Sequence, residues 1–296
     1  MNDDVCVLIV TYNRRIELLN LLNKLDESSS VKNVVIVDNN SNYDIKESLN
    51  INFINIDVTL LILDENTGGA GGFNYGMNYI IKNKILCNYI WAMDDDGYPS
   101  ETCLKNLISD MQTYKCEIIG PIVKDINKSD QLSFSLNYKN DIYKNFNDLP
   151  NIDYFSDLLN PFNGTLIKID VIKKYGSTDP RLFIWGDEVE WLWNMRYNYV
   201  KFGISKKSIF FHPINKKTYF GYSKLWSIDS HVLGVYCFYR NQVLIRKKYK
   251  SILHTLVWTL RAIVGVLLFS KKKKVSLQGI IHGLFSIYGK HKDYIK

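Results

Sequence analysis

Proline is scarce in this 296-residue chain, with six in all, and no low-complexity tract interrupts it. With 46% hydrophobic and 14% aromatic residues, that composition excludes a disordered chain and is ample for a core. The length suits one large domain or two small ones. Cysteine is sparse as well. Cys6, Cys87, Cys103, Cys116 and Cys237 are scattered, odd in number and never spaced as Cys-x-x-Cys. This excludes a disulfide framework and a zinc site, and fits a reduced cytoplasmic setting. The start, MNDDVCVLIV, lacks the basic segment and small-residue cleavage site of a secretory leader. No internal repeat is present.

Several familiar motifs are missing too. The glycine-rich stretch TGGAGGFNYG (67–76) is not a dinucleotide fingerprint, because Asn74 stands where the third glycine belongs. Gly71 and Gly76 have the spacing of a P-loop, but Met77 and Asn78 replace its lysine and hydroxyl residue. An EF-hand around Gly97 fails because Ala92 occupies the position of the first aspartate. No Ser-His-Asp arrangement suggests a nucleophilic enzyme.

What is present is an alternation of apolar runs and amphipathic segments over the first 125 residues. Residues 5–12, 33–41, 59–63, 88–93 and 116–123 read as buried strands rich in Val and Ile. Residues 14–25 carry leucines at helical spacing, with Asn13 the expected N-cap. Residues 66–83 read as a glycine-rich turn leading into a helix, and 100–114 as a helix capped by Ser100 with Glu101 in its first turn. Such alternation predicts an α/β fold with a mostly parallel sheet and helices on both faces. Residues 126–160 are polar and Asn-rich, expected as short strands and loops. A second module covers 161–176 and 181–213.

In open parallel sheets, ligands bind beyond the carboxyl ends of the strands. Thr11, Asp38, Asn66 and Asp94 all fall at or after such ends. Three aspartates follow one another in YIWAMDDDGYPS (89–100), and adjacent like charges need either solvent or a positive partner. On an extended backbone Asp94 and Asp96 share one side, with Gly97 allowing a turn, which suits a hard divalent cation held with substrate phosphates. The plain alternative is a solvated acidic turn. In WGDEVEWLWNMRY (185–197), a carboxylate among aromatics can serve as a base, or the acids can simply favour a helix N-terminus. His212, after the run SIFF, is either structural or a ligand for a Mn²⁺-type metal.

VTYNR (10–14), VVIVDNNS (34–41), ENTGGAGGFNYG (65–76), WAMDDDG (91–97), NGTLIK (163–168), WGDEVEW (185–191) and FFHP (210–213) occur in this order. Together they resemble a family 2 glycosyltransferase with the GT-A fold, over roughly residues 5–215. FYRN (238–241) and QGIIHGLFSIYGK (278–290) are similar to the rhamnosyl- and galactofuranosyltransferase branch. The resemblance implies a nucleotide-sugar site of Thr11, Tyr12, Asn13, Arg14, Asp38, Asn40, Asn66, Gly69, Asp94 and Asp95. It implies Mn²⁺ or Mg²⁺ on Asp94, Asp96 and His212, lying between the aspartates and the donor. It implies Glu188 as the base, with Asp187 the alternative, and Trp185, Trp191 or Trp193 as an acceptor platform. It divides the chain into a nucleotide-sugar half (1–125), an acceptor half (126–215) and a C-terminal helical segment (216–296). The implied reaction is inverting transfer from UDP-galactofuranose, or alternatively dTDP-rhamnose, to a lipid-linked glycan in bacterial surface polysaccharide synthesis. A catalytically silent nucleotide-sugar-binding scaffold is the reading from another class, because Glu188 stands where the family more often has Asp.

The net charge is +7, and it is unevenly placed. Arg246, Lys247, Lys248 and Lys250 precede the apolar stretch SILHTLVWTLRAIVGVLLFS (251–270), and Lys271 to Lys274 follow it. His254 and Arg261 inside it argue against a span, since a charge near mid-bilayer costs about 2.5–3.5 kcal/mol on insertion scales. The expectation is a peripheral helix on the inner leaflet of a plasma membrane, lysines on anionic headgroups. The alternative is a buried C-terminal helix. The lysines are terminal and blocky and no nucleic-acid motif accompanies them, so nucleic acid is set aside.

Overall fold

The computed structural model describes residues 5–27, 31–49, 53–214, 218–222 and 225–295; the acidic start, residues 1–4, lies outside these. In chain order the elements begin with β1 (Val5–Thr11), α1 (Arg15–Asp26), β2 (Asn33–Asp38), α2 (Ile45–Ser48), β3 (Asp57–Ile62), α3 (Gly68–Lys82) and β4 (Tyr89–Asp94). Next come β5 (Tyr98–Pro99), α4 (Cys103–Thr113), β6 (Ile118–Asp125), β7 (Gln131–Tyr138), β8 (Asp141–Asn145) and β9 (Tyr154–Ser156). Then follow β10 (Asn163–Lys168), α5 (Ile169–Tyr175), α6 (Asp187–Tyr197) and β11 (Phe202–His212). The last are β12 (Thr218–Tyr222), β13 (Leu225–Asp229), α7 (Val232–Tyr249), α8 (Ile252–Phe269) and α9 (Lys273–Leu284). The chain divides into two compact units, the first 1–67, 72–177 and 194–214, the second 68–71, 178–193 and 215–296.

The first unit is built on a sheet in the order β3-β2-β1-β4-β10-β6-β11-β5. β1 to β4 are mutually parallel, and β11 runs parallel to β6. β10 is inserted antiparallel between β4 and β6, so the sheet is mostly parallel, as expected, with antiparallel members. Alternation along the buried strands serves two layers. Val7, Ile9, Val34 and Ile36 join Leu18, Leu21, Leu22 and Leu25 of α1 in one core. Burying each such side chain stabilises by about 1.5–3 kcal/mol. On the opposite face Leu8, Val10 and Val37 meet α3.

Three local expectations are corrected. The glycines of 68–76 lie inside α3 rather than in a turn before it. A Cβ at Gly72 would come within 2.4 Å of Val10 Cγ1, and one at Gly76 within 2.3 Å of Leu8 Cδ1, so the glycines exist to let the helix sit on the sheet. Asn13 does not cap α1; Arg14 holds that position. Asn13 is left-handed (φ 57°), which asparagine tolerates. Its Oδ1 accepts from the Asn42 N–H at 2.7 Å, and its own N–H donates to Ser41 Oγ at 2.9 Å. Finally, Ser100 does not cap α4, which starts at Cys103 with Thr102 at the cap position; the Ser100 carbonyl instead accepts from the Cys103 N–H at 3.0 Å in a turn before the helix.

The second unit packs α7, α8 and α9 with the β12–β13 hairpin. Gly279 and Gly283 of α9 lie against backbone carbonyls of α7, where a Cβ would be 2.7 Å from Tyr236 O and from Arg240 O respectively. Ser251 caps α8, accepting from the His254 N–H at 3.2 Å. The helix turns Thr255, Thr259, Ala262, Gly265 and Val266 inward. Ile252, Leu253, Leu256, Leu260, Leu267 and Leu268 remain exposed.

Candidate active site

The carboxyl ends of β1, β2, β4, β6 and β11 bring one polar cluster together in the first unit. β4 ends at Asp94, so Asp95 and Asp96 lie in the following turn and the aspartates do not alternate across an extended strand. Asp95 is buried (2% exposed). Its Oδ2 accepts from Thr11 Oγ1 at 2.6 Å, and its Oδ1 pairs with Arg14 Nη1 at 2.8 Å. The same guanidinium nitrogen lies 2.8 Å from Asp96 Oδ2. The positive charge beside the aspartate run therefore belongs to the chain itself.

The two carboxyls are driven in opposite directions. Burial pushes the Asp95 pKa up, against the pull of Arg14 and the Thr11 hydroxyl. Burial acts the same way on Asp96, but His212 and then Arg14 outweigh it and hold that carboxyl below the usual range. Arg14 is raised in turn: its partial burial is overcome by Asp95 and Asp96.

His212 decides what Asp96 can hold. Its Nδ1 lies 2.6 Å from the Pro213 carbonyl, which places a proton on Nδ1 and turns Nε2 toward Asp96. Nε2 lies 3.0 Å from Asp96 Oδ1, and among the described residues that oxygen accepts no aligned hydrogen bond. Nε2 and this oxygen stay this close only with a proton or a cation shared between them. The chemistry of this pair fits a divalent metal shared with a diphosphate. It is not a complete cage, for among the described residues no three His, Cys, Asp or Glu side chains converge on one point.

The neighbouring loop from β2 is tightly wound. Asp38 accepts from the Ser41 N–H and hydroxyl (2.6 Å to Oγ), and left-handed Asn40 donates to the Asp64 carbonyl at 3.2 Å. Asn39, which sequence reasoning passed over, accepts from the Thr67 N–H and hydroxyl and so ties this loop to the start of α3. Tyr12 is 41% exposed beside it. Asn66 is half-buried before α3. Two further acceptors were missed. Asp125 stands opposite His212 in the β6–β11 register, and Asn163 opposite Met93. Both are buried, and Asp125 Oδ1 and Asn163 Oδ1 accept no hydrogen bond among the described residues. Buried acceptors at a ligand rim suit the hydroxyls of a sugar. Asp125 closes an apolar run much as Asp38 does, and that signal was legible.

The second unit holds the acids of 187–190. Asp187 is buried and Glu188 half-buried, its Oε2 accepting from the Gly186 N–H at 3.3 Å. A Cβ on Gly69 would lie 3.3 Å from Asp187 Oδ2, so the start of α3 closes on this acid. What approaches the glycine turn most closely is the chain's own loop. Gly68 (φ 69°) faces the Phe183 carbonyl, which accepts the Ala70 N–H at 3.0 Å. Glu190 is structural: its Oε1 accepts from Lys248 Nζ and Tyr249 Oη, each at 2.6 Å. Trp191 is fully buried and offers no ring face to a sugar. Trp185 is half-buried, edge-on to His231, and Trp193 is half-buried beside Tyr249 and Lys250.

Arg240 and Asn241 of α7 hold the loop leading to Asp187. Asn241 Nδ2 donates to the Leu182, Ile184 and Trp185 carbonyls at 3.0, 2.9 and 3.2 Å. Arg240 is fully buried; its Nη2 donates to Leu182 O at 2.6 Å and its Nε to Asn241 Oδ1 at 3.0 Å. The loop needs holding, since Phe183 and Trp185 are left-handed without being glycine.

A cluster of this kind at the strand ends has relatives. Residues 6–175 match the family model for glycosyl transferase family 2. The chain belongs to that family. It is a glycosyltransferase of the hexosyl-transferring kind. Over 218 residues it is 29% identical to galactofuranosyltransferase GlfT1 of Mycolicibacterium smegmatis, covering 71% of this chain and 70% of that protein. It is 28% identical over 193 residues to dTDP-rhamnosyl transferase RfbF of Shigella flexneri, covering 64% and 62%. In fold the glycosyltransferase is similar to S. aureus TarS 1–349 (TM-score 0.53, 14% identity, 96% of this chain and 72% of that one). It is also similar to GalNAc-T7 crystallised with UDP, GalNAc and Mn²⁺ (TM-score 0.62, 13% identity, 96% and 56%). These neighbours share its GT-A arrangement.

Proposed function

We propose that this glycosyltransferase moves galactofuranose from UDP-galactofuranose to a lipid-linked glycan, with inversion, in bacterial surface polysaccharide synthesis. The observation that carries the cation-dependent part is the His212–Asp96 pair, Nε2 to carboxylate at 3.0 Å with Nδ1 committed to the Pro213 carbonyl. The names of the relatives support the donor, and the rhamnosyl relative keeps dTDP-rhamnose as the second reading.

Tyr12, 41% exposed, and the Asp38–Asn40 loop take the nucleoside, with Thr11, Asn13 and Asn66 contributing and Gly69 as a further contact. Asp96 and His212 would hold Mn²⁺ or Mg²⁺, with Asp94 adding negative charge close by rather than a third converging ligand; the ion when bound would neutralise charge on the departing diphosphate. Asp95, anchored by Thr11, fixes the turn beside the donor sugar. Glu188 takes the proton from the attacking acceptor hydroxyl, with Asp187 as the alternative base. One displacement at the anomeric carbon inverts it, and no side chain forms a covalent intermediate. Trp185, half-buried where Trp191 is fully buried, is the proposed stacking ring for acceptor sugar.

The C-terminal unit is read as docking peripherally on an anionic leaflet of the plasma membrane. α8 is 28% buried by the protein, mean hydropathy 1.9, and packs one face inward while its leucines point out. A helix lying in the interface lets exposed Arg261 reach the headgroups, and Lys271 to Lys274 extend the same attraction.

The test is nucleoside diphosphate release with UDP-galactofuranose, UDP-galactopyranose, UDP-glucose and dTDP-rhamnose, a membrane-lipid extract as acceptor, and Mn²⁺ present or chelated. Release from UDP-galactofuranose alone, lost on chelation and in Asp96→Ala, is the expected result. Glu188→Gln should lower turnover at least about a hundredfold, the scale of general base catalysis. Release from dTDP-rhamnose instead overturns the donor. Binding without any release favours a silent scaffold.

A further inference from the structure

Arg14 occupies an unusual position for a residue of a nucleotide site. Its Nη1 lies 2.8 Å from both Asp95 Oδ1 and Asp96 Oδ2, and Asp94 adds a third negative charge to its surroundings. Asp96 therefore has Arg14 on one oxygen and His212 on the other. A divalent cation on Asp96 and His212 would meet the guanidinium at close range, and like charges there repel. One of the positive groups must leave. Asp95 cannot follow a cation, because it is buried and its second oxygen is bonded to Thr11. Arg14 can move. Its side chain is 46% exposed, while its backbone is anchored through the Asn13 turn and the Ser41–Asn42 loop. A planar guanidinium also matches phosphate oxygens by paired hydrogen bonds.

We infer that Arg14 changes partner on donor binding: it is the resident counter-ion of Asp95 and Asp96 in the free enzyme and moves to the diphosphate in the loaded one. Cation binding at Asp96 and His212 is thereby tied to nucleotide binding. This rests on the metal-dependent reading above and adds to it an order: the cation binds well only with the nucleotide.

The experiment is Mn²⁺ binding to the full chain at fixed pH, read by the electron paramagnetic resonance of free Mn²⁺, with and without UDP. Wild type, Arg14→Met, Arg14→Gln and Arg14→Lys are compared, folding being checked by near-ultraviolet circular dichroism. Wild type should bind Mn²⁺ at least about tenfold tighter with UDP than without, within the 5–150-fold range of ordinary coupling. The Met and Gln variants should bind Mn²⁺ without nucleotide at least about tenfold tighter than wild type does. The enhancement by UDP should shrink in both. Lys, which keeps the charge, should stay with wild type. Unchanged or weaker nucleotide-free binding in whichever neutral variant folds overturns the inference, as does a Lys variant that behaves like Met. Wild type that binds no Mn²⁺ even with UDP overturns the metal-dependent reading and takes the inference with it.

Discussion

Replacing Asn241 by alanine should loosen the loop that leads to the proposed catalytic acids, Asp187 and Glu188. The amide nitrogen of Asn241 donates to three carbonyls, Leu182, Ile184 and Trp185, and its oxygen receives Arg240 Nε. An amide has two N–H groups, so alanine removes two donor bonds and leaves a buried guanidinium nitrogen without an acceptor. Each buried group stranded in this way costs about 1–3 kcal/mol. The strain of left-handed Phe183 and Trp185, about 1–3 kcal/mol each, is then less well opposed. Because the loop can relax, the net loss expected is about 2–4 kcal/mol. Urea denaturation followed by tryptophan fluorescence suits the purpose, because Trp185, Trp191, Trp193, Trp226 and Trp258, five of the six tryptophans, lie in this unit. Turnover should fall about tenfold or more with donor KM little changed, since the loop leads straight into Asp187 and Glu188. Asn241→Asp, which still accepts from Arg240 but cannot donate, should lose comparable activity. A stability change under about 0.5 kcal/mol with unaltered turnover would refute the clamp, because that is the range of an ordinary surface substitution.

Other outcomes follow from single contacts. Gly76→Ala places a methyl 2.3 Å from Leu8 Cδ1 and 2.9 Å from Val37 Cγ2. Overpacking of about 1–3 kcal/mol should outweigh the roughly 1 kcal/mol gained in helix propensity, giving a lower thermal midpoint; a more stable protein would contradict the packing argument. Asp179 accepts from Arg181 Nε and Nη2 at 2.8 and 2.7 Å and from the Arg181 N–H at 3.1 Å. Burial opposes ionisation there, but these bonds win and hold the carboxyl below its usual range. A depressed pKa stabilises above the unfolded value near 3.9 and ceases to as pH falls through the folded value. Asp179→Asn should therefore cost about 1 kcal/mol at pH 7, discounted for the exposed arginine, and the gap to wild type should close below about pH 4. Leu256→Glu with Leu260→Glu should abolish flotation with anionic vesicles while leaving donor hydrolysis intact; unchanged flotation would remove α8 from the membrane.

The parallel core was legible because β1, β2 and β4 are buried on both faces and so read as unbroken apolar runs, whereas β3, at the sheet edge, is only half-buried. The aspartate turn and His212 were legible for a related reason, as polar residues abruptly ending apolar runs. β10 was not, since NGTLIK is short and its place between β4 and β6 depends on pairing partners some 70 and 45 residues away in the chain. The glycines misled because a glycine run reads locally as a turn, while its meaning here lies in Leu8 and Val10, beneath α3. The partner of the aspartates was hidden likewise: only the pairing of β1 with β4 puts Arg14 beside residues some 80 positions onward. The clamp of Arg240 and Asn241 gave only a motif, FYRN, without the carbonyls it serves.

The antiparallel strand β10 has a consequence for how the protein is made. β4, which delivers Asp94, and β6, which ends at Asp125, meet only through residues 163–168. During synthesis every strand from β1 to β4 leaves the ribosome before the strand that joins β4 to β6 does. Until Lys168 emerges, β4 and β6 present open edges, the kind of surface that recruits other chains. Cutting the chain after residue 125 would make that transient state permanent. The parallel N-terminal segment is thus a passenger of the residues that follow it, and a library of truncations should show soluble expression beginning only once β10 is included.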